Sequence, residues 1–251
     1  MKPKKIALPK SSRMRSRVQS FLLPLSDQPE LKYDADKREI YLYDSIGEWG
    51  ITAGHFVDVF DAIGGDDPIT LKINSGGGEV FEGLSIYNLL IDRGNVDVQV
   101  TGLAASIASV IAMAGRSVGI YDTAMMMLHK PWGVVIGNED DMEETRALLH
   151  KITGSLVKAY VGKTGTDQAE VEKMIAGETW LTSDESLKAG FADKVINAKK
   201  EEQPEPLDLA KSGFNKIPKN YLKLYEEHSR KRRVNKVHLE LQQRVAALKG
   251  K

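Results

Sequence analysis

The sequence predicts an α/β fold: a largely parallel sheet covered by helices, with one long helix projecting from it. Three observations predict it. Strand-like and helix-like segments alternate from residue 37 to residue 130, the pattern of βαβ crossovers. Glycines stop the helical stretches in turn, at Gly64 and Gly65, at Gly94 and at Gly115. Finally, "EDDMEETRALLHKITGSLVKAYVGKTG" from Glu139 has one apolar stripe, and at about 1.5 Å per residue a helix of that length exceeds roughly 30 Å.

Each element has its own signature. "KREIYLYDSI" (37–46) alternates in the manner of a strand, so the folded body begins near residue 31. "GITAGHFVDVFDAIGG" carries apolar residues at helical spacing. "PITLKI" reads as a short buried strand, "GGGEV" as a turn, and "VFEGLSIYNLLIDRG" as a helix ending at Gly94. "VDVQVTGL" is the next strand, "SIASVIAMAG" a helix, and "SVGIYDTAMMMLH" a pair of short strands. The acids after Glu139 suit the N-terminus of the long helix, whose stripe is Met142, Leu149, Ile152, Leu156 and Tyr160. Asp167 with Glu170, and Thr182 with Glu185, have capping-box spacing and open two short helices that stop at Gly177 and Gly190. Beyond Lys199, "EEQPEPLDLAKSGFNKIPK" reads as linker and 220–249 as a basic helix. The division expected is therefore a basic tail over 1–30, a body over 31–196, and a basic linker with a helical tail over 197–251.

Composition narrows the class. With 251 residues, 41% of them apolar, the chain can bury one substantial core. It has no cysteine, which removes disulfides, thiolate metal sites and a cysteine nucleophile. The apolar run near 100–115 is too short and too rich in Gly, Ser and Thr to cross a bilayer, and the basic N-terminus has no apolar signal core behind it. The expectation is a soluble protein of the cytoplasm, with no membrane partner. The net charge of zero conceals a division. Residues 1–17 hold seven Lys/Arg and no acid, and 197–251 hold fourteen Lys/Arg and seven acids. Of the 35 charges of each sign, 14 basic and 28 acidic are left for residues 18–196. Basic tails on an acidic body suit salt-sensitive contacts with acidic partners, or simple solvation.

Two segments carry candidate chemistry. "INSGGGEVFEG" (73–83) places three glycines between a strand and a helix, a turn whose exposed N–H groups suit an oxyanion or phosphate, yet it is neither a Walker loop nor a dinucleotide fingerprint. In "TGLAASIASVIAMAG" (101–115), Ser106 follows a strand and opens a helix. A serine there is either a helix cap or a nucleophile at the helix's positive end, beside the free N–H of Ile107. G-x-S-x-G is absent, so a hydrolase elbow of that type is not indicated. A nucleophile needs a base. Of the five histidines, His228 and His238 lie in the basic tail, His55 on an early helix and His150 inside the long one. His129 ends the apolar strand and precedes "KPWG", a strand-to-loop exit where catalytic groups tend to sit.

Taken in order, "INSGGGEVFEGLSIYN", "GLAASIASVIAMAG", "MMLHKPWG" and "WLTSDESLKAGFAD" resemble the ClpP family of serine peptidases, and especially the ClpP-related head maturation (prohead) proteases of tailed phages. The resemblance runs from about 39 to 196. It implies the ClpP/crotonase-like spiral of ββα units, with Ser106 as nucleophile, His129 as general base, and the N–H groups of Gly78 and Ile107 as oxyanion hole. The family's third member is an aspartate two positions before an aromatic residue. Here that position is Glu178, two before Trp180, and Asp184 is the nearest aspartate. The family's usual proline before the paired glycines is Gly76. Neither the segment before 39 nor the chain after 196 resembles the family, so docking of an unfoldase ring is not implied. What is implied is a serine endopeptidase that cleaves capsid and scaffold polypeptides inside the bacterial host or procapsid, needs no metal or nucleotide cofactor, and forms a homo-oligomeric ring, with the long helix as the element suited to stacking between rings. The alternatives sharing this body are a serine–lysine signal peptide peptidase, an enoyl-CoA hydratase relative, and a non-catalytic assembly protein.

Overall fold

The computed structural model describes residues 31–197, 206–209 and 214–230, and the expectations for a basic tail over 1–30 and for the helix beyond 230 lie outside these residues. The elements are β1 (Lys32–Asp34), β2 (Glu39–Leu42), α1 (Ala53–Ile63), β3 (Ile69–Ser75), α2 (Val80–Arg93), β4 (Val96–Ala105), α3 (Ile107–Ala112), β5 (Ser117–Tyr121), β6 (Met125–Leu128), α4 (Glu139–Thr164), α5 (Gln168–Gly177), β7 (Thr179–Thr182), α6 (Ser183–Lys188) and β8 (Lys194–Ile196). They form the mixed α/β body expected of the ClpP fold, around one eight-stranded sheet.

Strand β4 organises that sheet. It is ten residues long, and its first half pairs in parallel with β5 through Asp97–Val100 while its second half pairs in parallel with β6 through Leu103–Ala105. A strand near 33 Å in length can serve two successive partners, and the change of partner opens the sheet beside the end of β4. Strands β2, β3 and β4 run parallel, as does β8 on β5. Two pairs are antiparallel: β1 with β2, and β6 with β7.

The main core is the strand face of Ile69, Leu71, Ile73, Val96, Val98 and Val100, closed by Phe56 of α1, by Ile86 and Leu90 of α2, and by α3, which is buried along its whole length. The helices begin and end where the side chains dictate. Thr52 and His55 form a capping box at α1, and Asn138 with Asp141 does the same at α4. Gly94 takes the left-handed conformation that closes α2. Of the two short helices expected to open on capping boxes, α6 has one, from Thr182 and Glu185; at α5 only Asp167 caps, accepting from the N–H of Ala169.

Helix α4 has 26 residues, roughly 39 Å of helix. Its C-terminal half is fixed to the body by buried Ile152, Leu156 and Tyr160, and by Lys163, which reaches the Asp193 carboxylate at 3.0 Å. In the N-terminal half Met142 is exposed and Leu149 half-buried, so the stripe is buried at one end only, and Leu148 beside it is exposed as well.

The stretch beyond 199 departs from the linker expectation. Leu209 and Tyr221 are buried with Leu103, Ala105, Met125 and Met127, and Leu207, Phe214 and Ile217 pack beside them. Burying a Leu or aromatic side chain contributes about 1.5–3 kcal/mol, enough to offset the ordering of one or two residues. Among the described residues no helix is long and apolar enough to cross a membrane.

Candidate active site

The end of β4 delivers Ser106 into an unusual backbone conformation, φ 55° and ψ −130°. A non-glycine residue there is strained, by an amount of order 1–3 kcal/mol, and persists only where its surroundings hold it. Two sets of bonds do so. The Ser106 N–H donates to the Met127 carbonyl at 2.9 Å, and the Ser106 carbonyl accepts from the N–H and the hydroxyl of Ser109 at 3.0 and 2.6 Å. The Ser109 hydroxyl also meets the Tyr160 hydroxyl at 2.8 Å, tying the turn to α4.

Ser106 occupies the N-cap position of α3, but its side chain makes no capping hydrogen bond. Its Oγ lies instead 2.7 Å from Nε2 of His129. The capping reading of Ser106 therefore fails, and its hydroxyl stands instead against the histidine that the resemblance names as its base. His129 is reached because β6 runs parallel to the last residues of β4 and ends one residue before it. It is buried, and the ring of Phe214 stands edge-on to its imidazole, with centroids 5.6 Å apart.

The glycine turn closes against the serine. A β-carbon on Gly77, whose φ is 90°, would come within 2.7 Å of both the Ala105 carbonyl oxygen and the Ser106 β-carbon; one on Gly78 would collide with the Ile46 carbonyl. Only glycine permits this approach. The turn is held from outside: the Gly77 N–H donates to Ser75 Oγ at 3.1 Å, the Ile46 N–H to the Gly77 carbonyl at 3.0 Å, and the Glu79 N–H to the Ile46 carbonyl at 2.9 Å. Among the described residues the N–H groups of Gly78 and Ile107 take no part in such bonds. Ile107 is the first residue of α3, where a helix leaves its N–H groups unpaired.

Glu178 sits across the sheet ladder from His129. In the antiparallel pair β6–β7, Leu128 faces Thr179, so the next residues outward on each strand are His129 and Glu178. Glu178 is buried, in a left-handed conformation (φ 51°, ψ 75°) at the end of α5. Its Oε1 accepts from the backbone N–H of Asn215 at 2.6 Å and of Lys216 at 2.7 Å, and its Oε2 accepts from Asn215 Nδ2 at 2.7 Å. Burial pushes the Glu178 carboxyl up, but these donors, helped by the adjacent His129, outweigh it and hold the pKa below its ordinary value. Asp184 is exposed in the first turn of α6. Asn215 was not a sequence-level candidate, because it lies within a polar, proline-containing stretch.

The other histidines stand elsewhere. His55 serves the α1 cap, with its Nδ1 accepting from the Thr52 N–H at 3.2 Å, and His150 is exposed on α4. Among the described residues there is no group of three or more His, Asp or Glu placed to hold a metal ion.

The family model described as Clp protease matches residues 33–199. Among curated proteins, the chain is similar to ATP-dependent Clp protease proteolytic subunit 1 of Protochlamydia amoebophila, at 30% identity over 201 residues that cover 76% of this chain and 94% of that relative.

Proposed function

The chain belongs to the Clp protease family, serine peptidases of the ClpP type, and from that premise we propose that it cleaves polypeptides with Ser106 as nucleophile and His129 as general base. The observation that carries this reading is the 2.7 Å contact between Ser106 Oγ and His129 Nε2, made by a serine in strained backbone at a helix N-terminus.

In this mechanism Ser106 Oγ attacks the scissile carbonyl carbon as its proton passes to His129 Nε2, and the carbonyl oxygen becomes an oxyanion. The N–H groups of Gly78 and Ile107 receive that charge, and the positive end of α3 adds to them. Collapse of the tetrahedral intermediate breaks the C–N bond. His129 returns the proton to the leaving amine, and Ser106 is left as an acyl ester. Water then repeats the sequence and frees the serine. Glu178 is the third member, stabilising the imidazolium that forms at His129; its place opposite His129 on the β6–β7 ladder supports this, and the exposure of Asp184 disfavours the alternative.

The narrower reading is that the substrates are capsid and scaffold segments of a tailed phage, cleaved by a ring of identical subunits during prohead maturation. Its support is the ordered resemblance of four motifs to the prohead proteases, and for the ring, the exposed apolar end of α4. Mass spectrometry of the chain incubated with such capsid and scaffold proteins tests it: discrete internal cleavages that vanish in Ser106→Ala are expected, and intact substrates would refute it.

A further inference from the structure

The three donors on Glu178 come from a part of the chain outside the family match. That match ends at residue 199, whereas Asn215 and Lys216 return from beyond it to the heart of the site. The segment is anchored on both sides. Lys216 Nζ donates to the Gly177 carbonyl, the Leu207 N–H donates to the Tyr221 hydroxyl at 2.9 Å, and Phe214 stands edge-on to Trp180 as well as to His129. Leu209 and Tyr221 fix its flanks in the apolar cluster beneath.

A glutamate needs such a device more than an aspartate does. Its additional methylene gives the carboxylate one more rotatable bond, and an unrestrained carboxylate samples several positions beside the imidazole. Three N–H donors that meet both oxygens, two of them from fixed backbone, leave it one orientation. A carboxylate offers about four acceptor sites, so three such bonds still leave one on Oε2 for an imidazole N–H.

We propose that Asn215 is a positioning residue of the active site, and that the segment 214–216 is a C-terminal clamp which holds the Glu178 carboxylate ready for His129. The proposal rests on the serine-peptidase reading above, since the clamp has catalytic meaning only if Ser106 and His129 react. Asn215 contacts no reacting atom and acts through Glu178. Phe214 completes the clamp by walling one side of the His129 ring.

The test uses the full-length chain and a fluorophosphonate probe, with the rate of Ser106 modification followed across pH. Asn215→Asp is isosteric but replaces the donor with a second carboxylate. That charge favours the imidazolium at His129 and disfavours ionisation of Glu178, and each effect raises the pH at which the site becomes reactive. The charged groups beside Glu178 are His129 at the end of β6 and the Lys216 ammonium, which donates to the neighbouring Gly177 carbonyl and keeps its charge in every variant; the introduced aspartate adds to these. Labelling at pH 7 is expected to fall about tenfold, with the midpoint of the rate–pH curve about one pH unit higher. Asn215→Ala, which keeps the backbone N–H and adds no charge, is expected to lose rate several-fold with a smaller change of midpoint, and it decides the matter if the aspartate variant does not fold. Parental rate and midpoint in the folded variants overturn the clamp alone. A parent chain that is not labelled at Ser106 overturns the clamp and the peptidase reading together.

Discussion

Gly77 lies so close to Ser106 that a β-carbon added to it would stand 2.7 Å from the serine's own β-carbon. The glycine turn and the candidate nucleophile are thus one packed unit. With φ at 90° the position is also closed to other residues on backbone grounds. Gly77→Ala is expected to lower stability by about 2 kcal/mol or more and to reduce turnover at least tenfold, because relief of the clash displaces either Ser106 or the oxyanion donors. Thermal unfolding and peptidase assays on the same preparation check both parts.

The identity of the third member is decided by ranking two substitutions. Glu178→Gln keeps the size of the side chain but removes the charge beside His129, and is expected to cost up to about 10⁴-fold in kcat. Asp184→Asn, at an exposed position on α6, is expected to stay within a few-fold of the parent. Peptide turnover by the two variants measures this directly, and the reverse order would move the role to Asp184.

Acid stability follows from the same carboxylate. The Glu178 pKa is lower in the folded chain than its ordinary value of 4.5. Its stabilisation is therefore complete above that value and is lost as pH falls through the lower folded one. Denaturant unfolding between pH 7 and pH 3 is expected to show a smaller acid loss in Glu178→Gln than in the parent. Equal acid slopes would mean that the Asn215 and Lys216 bonds contribute nothing to folding.

Helix α4 leads to an expectation about assembly. Met142 and Leu148 are exposed on the half of the helix that extends from the body, whereas Ile152, Leu156 and Tyr160 are buried beneath the other half. Exposed apolar side chains on a projecting helix suit contact with a second copy. Sedimentation is expected to show an oligomer that Leu148→Glu weakens, while a parent found only as a monomer near 28 kDa would contradict it.

The site was legible in part, and the reason differs from residue to residue. Ser106 and His129 were visible because each sits at the end of a strand whose pattern is plain, "VDVQVTGLAA" and "MMML". Their partnership came from the resemblance alone, since it depends on β4 exchanging β5 for β6 along its length, a property of the sheet that no local pattern encodes. Strands β1, β7 and β8 are three or four residues long, too short for alternation to register. Asn215 was hidden by composition. The stretch around it is polar and proline-containing, as linkers are, and the helical spacing of Phe214, Ile217 and Tyr221 is interrupted by Pro218, although these residues and Leu209 all meet the body.

The most direct test of the central claim is active-site labelling. The full-length chain is treated with a fluorophosphonate at neutral pH, the modified residue is located by mass spectrometry, and peptide hydrolysis is followed in parallel with Ser106→Ala. A single adduct on Ser106, lost together with hydrolysis in the alanine variant to the extent of about 10⁴-fold or more, is the result predicted. No adduct at Ser106, or an alanine variant that cleaves at the parental rate, would contradict the account.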